Sequence, residues 1–256
     1  MYQKANVDKW TKHLREFRYT TSVEVYREWL TENIAGRLKH YFSEANNARL
    51  LDVGCGKGEV TALLAEKTGF EVIGFDIVDD ALHACKKLLE EKELQARVSL
   101  VKSSVYQLPF RDDAFDMATS TGGESTGTFR GAPEEVSRLV VREGPIFLEY
   151  VRMPNLYLPI TSVKSYFRYK RMLKKYKRGW NIKYPNYETL GLSERFEDKL
   201  DLTIEKIWRI NTFPPIGGKR FRLLFEKTLG RAFNLLLART ILVELRNTKS
   251  PSKEET

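Results

Sequence analysis

The chain has 256 residues, 42% of them hydrophobic, enough to bury one sizeable core with attachments. No run of 18 apolar residues occurs, and the opening MYQKANVDKWTKHLREF has no apolar stretch of the signal-peptide kind, so a membrane-spanning or exported chain is set aside and a cytoplasmic one expected. The net charge of +9 comes from one place: residues 152–187 hold ten bases and no acid, and the remainder carries 33 bases against 34 acids, which argues against a surface built throughout for nucleic acid.

In chain order, apolar residues from Val23 through Trp29, Leu30, Ile34 and Leu38 to Phe42 recur at the helical period, predicting an amphipathic helix over 20–43. RLLDVG (49–54) reads as a buried strand. VTALLAEKTG (60–69) reads as a helix stopped by Gly69 in the left-handed cap. EVIGFDI is a second strand, followed by a helix from Asp79, with Asp79 or Asp80 as its N-cap, to Glu93. RVSLVKSS, AFDMATST and PIFLEYV are strands three to five, and APEEVSRLVVRE between the last two is a helix with Pro133 in its first turn. This alternation is the pattern of right-handed βαβ crossovers and predicts a doubly wound, mostly parallel sheet. Beyond Tyr150 the rhythm changes: helices are expected over 161–179 and 217–230, and strands over 200–211 and 239–247. The resulting division is an N-terminal helical cap (1–44), a core (45–150), a basic and aromatic insert (151–200), the C-terminal part of the sheet (201–247) and a polar tail (248–256).

Cys55 and Cys85 lie in unlike contexts, and His13, His40 and His83 are scattered, so neither a disulfide nor a metal is expected. The informative stretch is LLDVGCGKGEV (50–60). Glycines at 54, 56 and 58, at the carboxyl end of the first strand, let the backbone turn sharply and strip away the Cβ atoms that would hold a ligand off. A dinucleotide loop would read G-x-G-x-x-G and receive a pyrophosphate. Here the spacing is G-x-G-x-G, and Asp52 and Glu59 flank it, which suits a cationic ligand better. Asp76 closes the second strand, where a carboxylate can accept both hydroxyls of a ribose.

Together LLDVGCGKGEV, VIGFDI, LPFRDDAFDMATS and EEVSRLVVREGPIFLEY resemble the class I S-adenosylmethionine-dependent methyltransferases, in particular the branch of the ubiquinone and menaquinone C-methyltransferases and related small-molecule enzymes. The resemblance covers about residues 45–150 and extends weakly through LGRAFNLLLARTILVELRN. It implies a Rossmann-like sheet of seven strands with an antiparallel last strand and an inserted helical cap, and S-adenosylmethionine as cofactor. By it, Asp52, Gly54, Gly56 and Gly58 would face the methionine part, with Cys55 counted in the same cofactor-binding loop as a small packed residue rather than a nucleophile, Asp76 the ribose, and Ile77 the adenine. Relatives usually carry an acidic residue followed by Ala where this chain has Ser104 and Val105, so adenine binding would rest on the Ser104 hydroxyl, the Val105 backbone and apolar packing. Ser120, ending the fourth strand, matches a position that approaches the cofactor.

Methyl transfer from a sulfonium is an in-line displacement, and the protein's task is to hold a nucleophile about 3 Å from the methyl and exclude water. Glu124 in STGGEST is the first candidate for substrate contact or base, while Glu149 reads as a structural strand-end carboxylate. The segment 152–187 interleaves its bases with eight aromatics, and Tyr166, Arg168, Tyr169 and Trp180 are the substrate candidates. Its pattern is open to an anionic small-molecule or lipid-like acceptor, to nucleic acid, to peripheral membrane contact, or to a solvated helix over the sheet. The acceptor expected is small or lipid-like, with RNA methylation, a non-catalytic cofactor-binding scaffold and a nicotinamide enzyme as alternatives.

Overall fold

The structure, a computed structural model, describes residues 11, 21–42, 47–105, 108–121, 132–151, 200–210 and 240–249, and the helices expected over 161–179 and 217–230 lie outside them. In chain order the elements are α1 (Thr21–Tyr41), β1 (Arg49–Val53), α2 (Glu59–Thr68), β2 (Glu71–Asp76), α3 (Asp79–Glu91), β3 (Val98–Lys102), β4 (Met117–Ser120), α4 (Ala132–Leu139), β5 (Pro145–Val151), β6 (Leu202–Ile210) and β7 (Thr240–Asn247). The strands form one sheet in the order β3-β2-β1-β4-β5-β7-β6. The first four pairings are parallel, and β7 runs antiparallel to both β5 and β6. This is the expected doubly wound α/β sheet with its antiparallel last strand.

The sheet is covered on both faces, which is why β1 reads as a continuous apolar run rather than an alternating one. Leu50 packs with Leu30, Ile34 and Leu38 of α1 and with Ala62 and Leu64 of α2. Leu51 and Val53 pack on the opposite face with Val136 and Leu139 of α4. Helix α1 is fixed at two heights. Arg37 binds both oxygens of the fully buried Glu244 on β7, and the Tyr41 hydroxyl donates to the same carboxylate at 2.8 Å. Farther up, Arg27 pairs with Glu59 at the start of α2 at 3.0 Å.

Local differences from the sequence expectation have identifiable causes. Helix α3 takes no cap from Asp79 or Asp80: Val78, in extended conformation, holds that position, and both aspartates sit in the first turn, where the helix dipole favours them. The amide of Val78 is taken instead by Asp76 at 2.9 Å, and Asp79 pairs with Lys102 at 2.6 Å. Helix α4 stops at Leu139 rather than running on to 143. Val140 bridges to Phe115, and the Asn247 side-chain amide donates to the carbonyls of Ser137 and Val140, which end without helical partners. In β6 the core-facing positions step from the buried Leu202 and half-buried Ile204 to the half-buried Ile207 because the register shifts between Ile204 and Lys206. That shift turns Trp208 to the other face, against Phe147.

The LPFRDDAFD segment is tied to α4. Glu135 accepts the Leu108 amide at 2.8 Å and the Arg138 guanidinium at 2.6 Å, and Arg138 also donates to the Phe110 carbonyl and to Asp112. Arg138 above all holds the Glu135 carboxyl below the usual range. Phe110 stacks edge-on against Phe115 at 5.0 Å. The segment is thereby a fixed connection between the edge of the sheet and its centre.

Candidate active site at the carboxyl ends of the parallel strands

Strand β1 ends in a loop whose glycines are all left-handed, with φ of 72° at Gly54, 57° at Gly56 and 85° at Gly58. A side chain is strained at each of them. The loop is pinned by Cys55, whose amide donates to the Phe75 carbonyl of β2 at 2.9 Å and whose carbonyl accepts the Gly58 amide at 3.0 Å. The glycines face different surroundings. A Cβ on Gly58 would overlap the Cys85 sulfur of α3, so that glycine is needed for packing. A Cβ on Gly56 would meet nothing nearer than the Gly54 carbonyl oxygen at 4.0 Å, so bare backbone borders open space there.

Two carboxylates flank this backbone. Asp76, last residue of β2, accepts the Gly56 amide on one oxygen at 3.0 Å and the Val78 amide on the other. Burial pushes its pKa up, and the amides of Val78, Gly56 and Ile77 draw it back. Asp52 is 1% exposed and takes the Thr61 hydroxyl of α2 at 2.6 Å and the Thr119 hydroxyl of β4 at 3.2 Å. Its carboxyl is pushed up to about 6, first by burial; the two threonines lower it, Asp76 raises it, and Arg27 lowers it.

Loop, carboxylates and strand order together have known counterparts. The family described as "Methyltransferase domain" matches residues 50–144. Methyltransferase GfsG of Streptomyces halstedii is 35% identical over 89 residues, 35% of this chain and 31% of that one. A demethylmenaquinone methyltransferase of Lactiplantibacillus plantarum is 31% identical over 100 residues, 38% of this chain and 40% of that one. Among solved structures, the geranyl diphosphate C-methyltransferase of Streptomyces coelicolor, in complex with Mg2+, geranyl diphosphate and S-adenosyl-L-homocysteine, superposes with a TM-score of 0.54 at 14% identity, over 84% of this chain and 77% of that one. Residues 50–144 thus match a methyltransferase domain, carried here on the seven-stranded sheet. The matched stretches span less than half the length of the two curated relatives named.

The residues of this methyltransferase domain fit S-adenosylmethionine. The open cradle at Gly56 lies between the ends of β1 and β2, and the Asp76 carboxylate on its amide, with the buried Asp52 carboxylate near the end of β1, favours a cationic ligand over a pyrophosphate. Ile77 follows Asp76 directly. The next loop along the sheet is tied to the same place, since the Ser103 amide, just before Ser104 and Val105, donates to the Asp76 carbonyl at 3.1 Å. Ser120, buried at the end of β4, donates to the Val53 carbonyl at 3.3 Å. Glu149 is buried in β5 opposite Leu242. Glu124, Tyr166, Arg168, Tyr169 and Trp180 lie outside the described residues.

Three features escaped the sequence reading. Thr61 and Thr119 are fully buried partners of Asp52, and the signal for them is a hydroxyl placed inside otherwise apolar buried runs, VTALLA and MATS. Arg27 reaches the loop helix from α1. Cys55 and Cys85, unlike in sequence context, are both buried and lie thiol to thiol, a contact that with burial pushes the Cys55 thiol up and leaves it unreactive.

Proposed function

We propose that the protein transfers the methyl group of S-adenosylmethionine to a small or lipid-like acceptor. The observation that carries this reading is the open cradle at Gly56, with the Asp76 carboxylate bonded to its amide and the buried Asp52 carboxylate two residues before the first glycine. When bound, S-adenosylmethionine supplies an electrophilic methyl group on a sulfonium.

The chain's own residues then divide the work. The backbone at Gly54, Gly56 and Gly58 receives the methionine part, with the Asp52 charge beneath it. Asp76 keeps its two amide bonds and uses the remaining lone pairs of its oxygens for the ribose hydroxyls. Ile77, Ser104 and Val105 border the adenine, and Ser120 closes the floor at β4. Because Ser104 stands where relatives usually carry an acid, hydrophobic contact carries more of the adenine affinity here. Water exclusion and acceptor placement fall to α1 and to the segment 152–187, with Tyr166, Arg168, Tyr169 and Trp180 as acceptor contacts and Glu124 as contact or base.

The acceptor class is supported by the demethylmenaquinone methyltransferase among the relatives and by the pairing of bases with aromatics in 152–187, which suits an anionic or aromatic, lipid-like molecule. The test is release of S-adenosylhomocysteine on addition of a lipid extract, with total RNA as the parallel substrate. Turnover with the lipid fraction is expected; turnover with RNA alone would transfer the basic segment to nucleic acid. Cofactor binding with no turnover on either would leave a scaffold.

A further inference from the structure

Asp52 is a carboxylate with almost no contact with solvent, and the groups that face it come from four elements. Thr61 of α2 and Thr119 of β4 donate to its two oxygens. Asp76 of β2 and Arg27 of α1 act on it through space, and Arg27 is itself engaged by Glu59. No guanidinium or ammonium is bonded to it among the described residues. A buried carboxylate held only by neutral hydroxyls is costly while ionised, unless a cation arrives. Hydroxyl donors lower that cost without neutralising the charge. They leave it available, and they fix the carboxylate plane, since one threonine holds each oxygen from a different side.

We propose that Thr61 and Thr119 are positioning residues that keep Asp52 ionised and aimed at the cationic methionine part of the cofactor, so that cofactor binding is coupled to release of a proton from Asp52. The inference rests on the cofactor reading above and extends it to two residues outside the glycine loop. Its physical content is linkage. Below the Asp52 midpoint the free protein carries a proton there, and a cation binds only after that proton leaves for solvent. Removing the threonine hydroxyls moves the midpoint upward and carries the loss of affinity toward neutral pH.

The experiment is calorimetric titration of S-adenosylmethionine into the full chain between pH 5 and pH 7. Wild type, T61V/T119V, T61S/T119S and D52N are compared, each checked by circular dichroism. For wild type the affinity is expected to fall about tenfold between pH 7 and pH 5. In T61V/T119V the fall begins at higher pH and the affinity at pH 6.5 is about tenfold below wild type. T61S/T119S restores the wild-type profile, and D52N binds weakly with that part of the dependence gone. Should the double valine variant unfold, T61V and T119V singly are each expected to move the midpoint the same way by less. A valine profile that superposes on wild type, or a shift that serine does not reverse, overturns the threonine assignment while cofactor binding stands. Absence of binding at every pH overturns the cofactor reading, and this inference with it.

Discussion

At the scale of single residues, the site places function against stability. The Asp52 carboxyl sits at about 6 against an ordinary 3.8, burial being the main cause. A carboxyl raised on folding adds stability that is complete below pH 4 and is lost as pH rises through 6, so at neutral pH the ionised group is a net cost on the order of 3 kcal/mol. D52N is therefore expected to raise the melting temperature of the free protein at pH 7.5 while weakening S-adenosylmethionine binding; a lower melting temperature with unchanged affinity would contradict both halves. The glycines divide along another line. Gly58→Ala combines a left-handed alanine with overlap of the Cys85 sulfur, and urea unfolding should show a loss of about 2–4 kcal/mol. Gly56→Ala meets no such neighbour and should cost only the conformational strain, about 1–2 kcal/mol, yet it fills the cradle and is expected to reduce cofactor affinity more than Gly58→Ala does.

At the scale of elements, α1 is the lid of one face, and its seating depends on a buried charge. Arg37 and Tyr41 are the partners of Glu244, which no water reaches. Arg37→Met leaves that carboxylate with a single neutral donor and should cost about 3 kcal/mol in chemical denaturation. Adding Glu244→Leu should recover much of it, because the stranded charge goes with it; a double variant no better than the single would show that the ion pair itself, not the burial of an unpaired acid, matters. Much of this layer was legible in the sequence. The strands announce themselves as short runs of strand period, most of them separated by helical periods, and Gly69 marked the end of α2, where its φ is 76°. What was not legible depends chiefly on residues far apart in the chain. The short α4 is decided by Asn247, 108 positions beyond Leu139. The cap of α3 is decided by Asp76, whose carboxylate reaches forward to Val78 and back to Gly56. Thr61 and Thr119 were unreadable as partners of Asp52 until the crossover brought three elements together.

For the whole molecule, charge and fold separate the two halves of the task. The domain that receives the cofactor is built around carboxylates, while the basic excess is confined to 152–187. Replacing Lys170, Arg171, Lys174 and Lys175 together by Gln should leave cofactor affinity unchanged and reduce turnover with the lipid extract, the deficit shrinking in high salt as screening removes the wild-type advantage. Equal turnover at every ionic strength would return that segment to a solvated covering role. No helix among the described residues is long and apolar enough to cross a membrane.

The most direct measurement is calorimetric titration of wild type and Asp76→Ala with S-adenosylmethionine, repeated in excess NAD. Wild type should bind S-adenosylmethionine, NAD should not compete, and Asp76→Ala should lose about 1–3 kcal/mol of binding free energy with the ribose bonds. Displacement by NAD, or an affinity indifferent to Asp76, would contradict the placement of a sulfonium nucleoside on the glycine loop.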